Sequence, residues 1–291
     1  MELEEEKFRK CGHMIKIALD GLDIELKCFH DISWLKEYGH AFCVFDRLVS
    51  GNLCFGMELR GVKHFIKYAG APTLNYAGDP QAAVQRLKAA EEKYDQLKHP
   101  KLSRKVSRFE NVSGFGLVFD WFDGFALAPL EAHMRAMREL PIQTRLRLFD
   151  GLADFMVQAS NRDYVLSGFS DRHILIDFSR FDAIICSADN MVLMPAKTPY
   201  PKMPGSPFYM PPEGYAPGAK LDEKSNIYVM GALAFTFFGN RAITNGTGWE
   251  AGSLLYETAK QAVSDDPDKR PNTASAFLER WRGTVLHFPL L

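Results

Sequence analysis

Tyr164-Val165-Leu166-Ser167-Gly168-Phe169-Ser170-Asp171-Arg172-His173-Ile174-Leu175-Ile176-Asp177 sets a polar, glycine-punctuated loop ahead of a short apolar run. Before it, Ile142, Leu146, Phe149, Leu152, Phe155 and Met156 recur at helical spacing across Leu140–Ser160, the pattern of an amphipathic helix packed on a core. Ile174-Leu175-Ile176 and then Ala183-Ile184-Ile185-Cys186 are strand-like, and a proline-rich loop follows them. Asp222-Glu223-Lys224-Ser225 then offers an N-terminal capping signal ahead of the apolar run Ile227–Gly239. The polar loop is thus expected on a loop-and-strand insert between two long helices. Nearer the N-terminus, up to about residue 120, short apolar runs alternate with glycine, and only Pro80–Lys98 has a helical pattern. A β-rich first third joined to a helical remainder predicts an α+β protein.

Four motifs in the first third admit two readings each. Gly51-Asn52-Leu53-Cys54-Phe55-Gly56 has glycine at the first and third places of a GxGxxG hairpin, with Leu53 at the middle place. Such glycines let a backbone approach phosphates, and they equally serve ordinary turn geometry. His64-Phe65-Ile66-Lys67 is a strand-type run ending in a lysine suited to phosphate or to solvent at a sheet edge. Glu91 and Glu92 precede Leu97-Lys98-His99-Pro100 on the helical stretch, and Glu91 is either a partner for the strand lysine or a solvated helix charge. Leu117-Val118-Phe119-Asp120-Trp121-Phe122-Asp123-Gly124 is an apolar strand that runs into an aromatic and acidic connection or a tight Asp-Gly turn.

From Tyr164 onward the pattern becomes specific. The opening stretch resembles the catalytic loop of a protein kinase, with Leu166-Ser167-Gly168 where His-Arg-Asp would stand and His173 where the metal-binding Asn would stand. Gly205-Ser206-Pro207-Phe208-Tyr209-Met210-Pro211-Pro212-Glu213 is similar to the Ala-Pro-Glu end of an activation segment. Asp222–Gly239 resembles the central buried helix, and Asp265-Asp266-Pro267-Asp268-Lys269-Arg270-Pro271 resembles the Asp-Pro-x-x-Arg-Pro signature near the end of the kinase core. These landmarks occur in the kinase order, so the chain resembles the protein kinase superfamily, most closely a group of single-domain bacterial serine/threonine-kinase-like proteins.

That resemblance implies a two-lobed fold, with a β-rich nucleotide-binding N-lobe over residues 1–120 and a helical C-lobe over residues 121–291. Gly51, Gly56, Lys67, Glu91, Asp120 and Phe122 would face the nucleotide, and Lys67, Asp189 and Gly168 would line one cleft. Laid against the acidic run of that bacterial group, Ile185-Cys186-Ser187-Ala188-Asp189-Asn190 leaves Asp189 as the intact metal-binding carboxylate. An Asp-Asn turn between two strands accounts for the same residues. Glu213 and Arg270 would form the buried ion pair that joins the two C-terminal segments.

The departures bear on chemistry. A kinase's catalytic-loop aspartate takes the substrate hydroxyl proton, while an Asn and a second aspartate hold Mg²⁺ across the phosphates. Gly168 has no side chain for the first task, and His173 is a poor ligand for hard, oxygen-seeking Mg²⁺. Asp171 is the candidate displaced base; it also suits backbone hydrogen bonding within the loop. Pro195, Pro199, Pro201, Pro204, Pro207, Pro211 and Pro212 stiffen segment 195–212, which suits a fixed surface for a protein partner better than an order–disorder switch. The leading expectation is a regulatory or scaffolding pseudokinase that holds ATP and Mg²⁺ weakly or not at all. Alternatives are an active phosphotransferase using Asp171 and a kinase-fold nucleotidyl or other group transferase.

Composition agrees with a folded chain of no strong polyanion affinity. The 291 residues are 46% hydrophobic and 24% charged, and 35 Lys and Arg against 36 Asp and Glu leave a net charge of −1, so no nucleic-acid partner is implied. Cys11, Cys28, Cys43, Cys54 and Cys186 have no zinc-type spacing, and reduced thiols in a cytoplasmic protein are expected. Met1-Glu2-Leu3-Glu4-Glu5-Glu6 is acidic where an export signal begins basic. Ile227–Gly239 falls short of the roughly 20 residues that span a bilayer, so no membrane partner is expected.

Overall fold

The computed structural model describes residues 14–198, 205–241, 243 and 246–286. Cys11, the acidic start and Pro199, Pro201 and Pro204 of the proline-rich segment lie outside the described residues. The architecture is α+β, and the chain divides into two compact units.

The first unit holds the described residues up to Gln96 together with Arg104–Trp121. It opens on a two-stranded hairpin, β1 (Ile15–Leu19) and β2 (Leu22–Leu26). The turn residues Asp20 and Gly21 have φ of 52° and 84°, the left-handed geometry that a two-residue hairpin turn requires. Its main sheet is antiparallel, ordered β3 (His40–Phe45), β4 (Asn52–Leu59), β5 (Val62–Ala69), β7 (Gly114–Asp120) and β6 (Lys105–Asn111). Alternation along each strand assigns the faces. Leu53, Phe55 and Met57 of β4, Ile66 and Tyr68 of β5 and Val118 of β7 join Ile24, Leu26 and Leu35 in one apolar core. Lys67 lies between Cys54 and Leu117 in register, and the two-residue period assigns it to the opposite face from Ile66 and Tyr68. Helix α1 (Pro80–Gln96) packs on β5 and β7 through Ala83, Val84, Leu87, Ala90 and Tyr94.

The GxGxxG reading needs correction here. Gly51–Gly56 makes no hairpin: Asn52–Leu59 is one unbroken strand, and the connection from β3 ends at Gly51. Gly51 has φ of 79° and closes that connection. Gly56 lies inside β4 opposite Cys43 and Phe65. A Cβ on Gly56 would fall 2.6 Å from the Phe42 ring and from Cys43 Sγ, so this glycine makes room for side chains of the neighbouring strand.

The second unit holds Leu97–Ser103 and the described residues from Phe122 onward. Leu97–Ser103 belongs to it because Ile185 N donates to Lys101 O at 2.7 Å and Ser103 N donates to Ile185 O at 2.9 Å. Its helices are α2 (Glu131–Glu139), α3 (Ile142–Asn161), α4 (Glu223–Phe238), α5 (Ser253–Ala262) and α6 (Ala274–Val285). The capping signal read at Asp222 is present: its side chain accepts from Lys224 N at 2.9 Å, and Ser225 completes a capping box. Every residue of α4 from Ser225 to Phe238 is buried, as an all-round apolar helix requires. Helices α3, α5 and α6 pack around it. Short strands complete the unit: β8 (Phe125–Ala126), β10 (Ile174–Asp177) and β11 (Asp182–Ile185) form one sheet, β9 (Tyr164–Val165) pairs with β12 (Val192–Leu193), and β13 (Ala196–Lys197) pairs with β14 (Lys220–Leu221). Among the described residues no helix is long and apolar enough to cross a membrane.

Candidate functional site

The loop Leu166–His173 connects β9 to β10 and is tied at its start to α4. Leu166 N donates to Asn226 Oδ1 at 2.7 Å, while Asn226 Nδ2 donates to Ser160 Oγ and to Tyr164 O, each at 2.7 Å. Asn226 is fully buried, so one amide side chain meets the needs of three groups that have no access to water. Sequence reading overlooked this residue, although a lone amide at the head of an apolar helix was the available signal. Replacing it in Asn226→Ala is expected to destabilise the second unit by about 2–4 kcal/mol, because each buried group left unpaired costs roughly 1–3 kcal/mol. Urea denaturation checks this, and a loss below about 0.5 kcal/mol, the range of ordinary surface changes, refutes it.

Gly168 has φ of 70°, a conformation that glycine adopts without steric cost. A Cβ there would lie 3.0 Å from Asn190 Nδ2. On another side the backbone of Gly205 approaches so closely that a Cβ on Gly205 would fall 2.8 Å from the Gly168 carbonyl carbon. Ser206 N donates to Phe169 O at 3.2 Å, joining the same two segments. At the position read as the base there is only backbone, packed against backbone.

Asp171 is buried, and both of its oxygens have donors: the Tyr209 hydroxyl on Oδ1 and the Arg241 guanidinium on Oδ2. Tyr209 OH also lies 2.7 Å from Thr236 Oγ1 on α4. Burial, followed by the negative charge of Asp171, holds the Tyr209 phenol far above its ordinary pKa, so it remains a proton donor to the carboxylate. The guanidinium of Arg241 lies 4.2 Å from the centre of the Phe208 ring.

His173 accepts a hydrogen bond from Ser170 N on Nδ1 at 3.1 Å, and its own N–H donates to Ser170 O at 2.9 Å. These bonds fix the loop's short 3₁₀ turn and place the ring proton of a neutral His173 on Nε2. Asp189 lies half-buried in a turn between β11 and β12, its backbone N–H donating to Ser187 Oγ at 3.3 Å. Ser167, His173, Ser187 and Asn190, together with the apolar Leu166, Phe169 and Met191, line a small crevice beside this turn. Among the described residues no three His, Cys, Asp or Glu side chains converge on a metal position.

In the first unit, buried Lys67 donates from Nζ to Tyr94 OH at 2.8 Å and lies 5.3 Å from the centres of both the Tyr94 and Phe119 rings. The α1 residue that meets it is therefore Tyr94. Glu91 is directed to β6, with Lys105 Nζ at 2.9 Å and Arg108 Nε at 3.5 Å. Asp120 pairs with Arg104 at the end of β7. In the second unit, Phe122 O accepts from Gly124 N at 2.8 Å, closing a tight turn.

Glu213 and Arg270 form a two-pronged ion pair, Nη1 to Oε1 at 2.7 Å and Nη2 to Oε2 at 2.8 Å. Arg270 is 2% exposed and donates further to Lys224 O at 2.9 Å and Ser264 O at 2.8 Å. The pair joins the turn before α4 to the turn before α6. Comparison of the chain with models of known protein families and with curated proteins finds no match.

Proposed function

We propose that this chain is a pseudokinase: a two-lobed, protein-kinase-like fold that acts as a regulatory or scaffolding partner of another protein. The observation that carries the reading is the state of loop 167–173. Its only carboxylate, Asp171, is buried with both oxygens engaged, and the base position is a glycine packed against Gly205 and Asn190. A general base must reach a substrate hydroxyl at hydrogen-bond distance with an open lone pair. Each Asp171 oxygen keeps a second lone pair, but the residue is 3% exposed, and swinging its carboxylate out to a substrate would break its bonds to Tyr209 and Arg241, which disfavours the active-transferase alternative. Transfer of the γ-phosphate from ATP to protein is the deciding measurement, and sustained wild-type turnover would remove this reading.

Residual nucleotide affinity is a separate matter, because Lys67 still has a packed and oriented ammonium. If it belongs to a remnant site, Mg·ATP at one hundredfold its dissociation constant raises stability by about 2.7 kcal/mol. Thermal unfolding should show that increment in the wild type and lose it in Lys67→Ala, each protein compared with its own ATP-free control. An ATP response of equal size in the variant would make Lys67 a packing cation only.

A further inference from the structure

We propose that Asp171, Tyr209 and Arg241 form a permanent latch that orders segment 205–210 against loop 166–173 without any phosphoryl group. The assignment of these three side chains stands on geometry; only its regulatory meaning rests on the kinase-like reading above.

The three come from distant parts of the second unit. Asp171 is on the loop, Tyr209 is in the segment, and Arg241 follows α4. Asp171 and Tyr209 are 3% and 2% exposed, and Thr236, the second partner of the Tyr209 hydroxyl, is fully buried. An isolated buried carboxylate is strongly unfavourable, and a partner charge with further hydrogen bonds relieves it. Here Arg241 supplies the charge and Tyr209 the second donor, so the loss of either leaves the buried anion under-compensated. Lifting the segment would remove Tyr209 from Asp171 and expose its ring.

Two further observations mark the arrangement as specified. Arg241 is a non-glycine residue with φ of 58°, a left-handed conformation that persists only where surroundings over-determine it. What surrounds it is the Asp171 pair on one side and the Phe208 ring, a neighbour of Tyr209, on the other. The backbone is joined as well: Gly205 lies against Gly168, Ser206 N donates to Phe169 O, and the Phe169 and Tyr209 rings meet edge to face at 5.1 Å. A segment ordered by phosphorylation acquires an Arg–phosphate pair when the phosphate is added. In this chain the anion is Asp171, built into the loop and always present. Asp171 is then a positioning residue whose task is to hold a constant surface.

The test is amide hydrogen exchange on the full chain, read at Ser206, Tyr209 and Met210 and compared with amides of α6. Arg241→Met keeps an apolar stem over Phe208 and removes the charge; Tyr209→Phe keeps the ring and removes only the hydroxyl. Both should raise exchange at the three segment amides at least tenfold, with α6 changed by less than threefold. Phosphatase treatment of the wild type should leave the three amides unchanged. Segment exchange that stays at the wild-type rate in Tyr209→Phe, or that rises no more than α6, overturns the latch, as does a rise on phosphatase treatment. Should Arg241→Met fail to fold, Tyr209→Phe alone decides. Phosphotransfer does not enter this readout, so the latch and the pseudokinase reading fail separately.

Discussion

Incubated with Mg·ATP, generic protein substrates and itself, the wild-type chain should transfer no measurable γ-phosphate, or transfer it more slowly by the factor of about 10²–10⁴ that a general base contributes. Loose, metaphosphate-like transition states depend mainly on positioning and on charge neutralisation by metal, so loss of the base lowers the rate without forbidding the reaction. On the kinase-like reading proposed above the metal side would be depleted as well, since His173 stands at the position read as an Asn and its Nδ1 is engaged by Ser170. Restoring one element should therefore recover little. In Gly168→Asp the new side chain enters a left-handed backbone position that Asp tolerates better than most residues, yet its Cβ meets the Asn190 side chain at 3.0 Å, which must give way. Gly168→Asp combined with His173→Asn should exceed either single change, because base and metal act on the same transferred group and need not add.

The assay must also separate two roles of Asp171. Loss of activity in Asp171→Ala alone is ambiguous, since that variant also opens the latch. If Asp171 were the base, Tyr209→Phe would remove one of the bonds that hold the buried carboxylate in place and raise the rate. Robust wild-type transfer would overturn the pseudokinase reading, and its loss in Asp171→Ala together with an increase in Tyr209→Phe would make Asp171 the base. Transfer at background in all of these proteins supports it.

What could be read from sequence was what local patterns encode. The capping box at Asp222, the fully apolar turns of α4, the helix over Ile142–Asn161 and the strand pair Ile174–Asp177 and Asp182–Ile185 are each specified by residues a few positions apart. Partner choice between distant segments was legible for Glu213 and Arg270, where the resemblance implied the pair, and was not legible for Lys67, Glu91 or Asp171. Glu91 and Tyr94 lie three positions apart on α1, and only the packing of that helix on the sheet decides that Tyr94 meets Lys67 while Glu91 meets Lys105. Gly56 looked like a loop glycine because a missing side chain leaves the same mark in sequence whether it admits a phosphate or a Phe42 ring. Asp171 looked available because its donors, Tyr209 and Arg241, are 38 and 70 positions away. Fold class was therefore more accessible than site chemistry, which depends on contacts that only the folded chain makes.

The largest loss of stability is expected in Arg270→Ala. Removing one member of a buried ion pair costs about 3–5 kcal/mol, because the remaining charge and its carbonyl neighbours lose their partner. Glu213 would be left with a weak contact from Ser225 Oγ at 3.4 Å, and Lys224 O and Ser264 O would lose the donors they receive from Arg270. The Tyr228 ring, whose centre is 5.1 Å from the guanidinium carbon, would lose its cation. Arg270→Lys should rescue little, since an ammonium cannot reproduce two parallel bonds to Glu213 together with two bonds to carbonyls. Glu213→Ala should cost less than Arg270→Ala, because the guanidinium it leaves behind keeps its two carbonyl acceptors and the Tyr228 ring, whereas Arg270→Ala strands those carbonyls as well as the carboxylate. Urea unfolding of the three variants would show this order as falling midpoints at constant slope. A double-mutant cycle should return a coupling of at least 1 kcal/mol, within the range of about 0.5–3 kcal/mol found for residues in contact. Near-additive single changes, each below about 1 kcal/mol as for an exposed pair, would mean that packing of α4, α5 and α6 holds this unit together without the help of the ion pair.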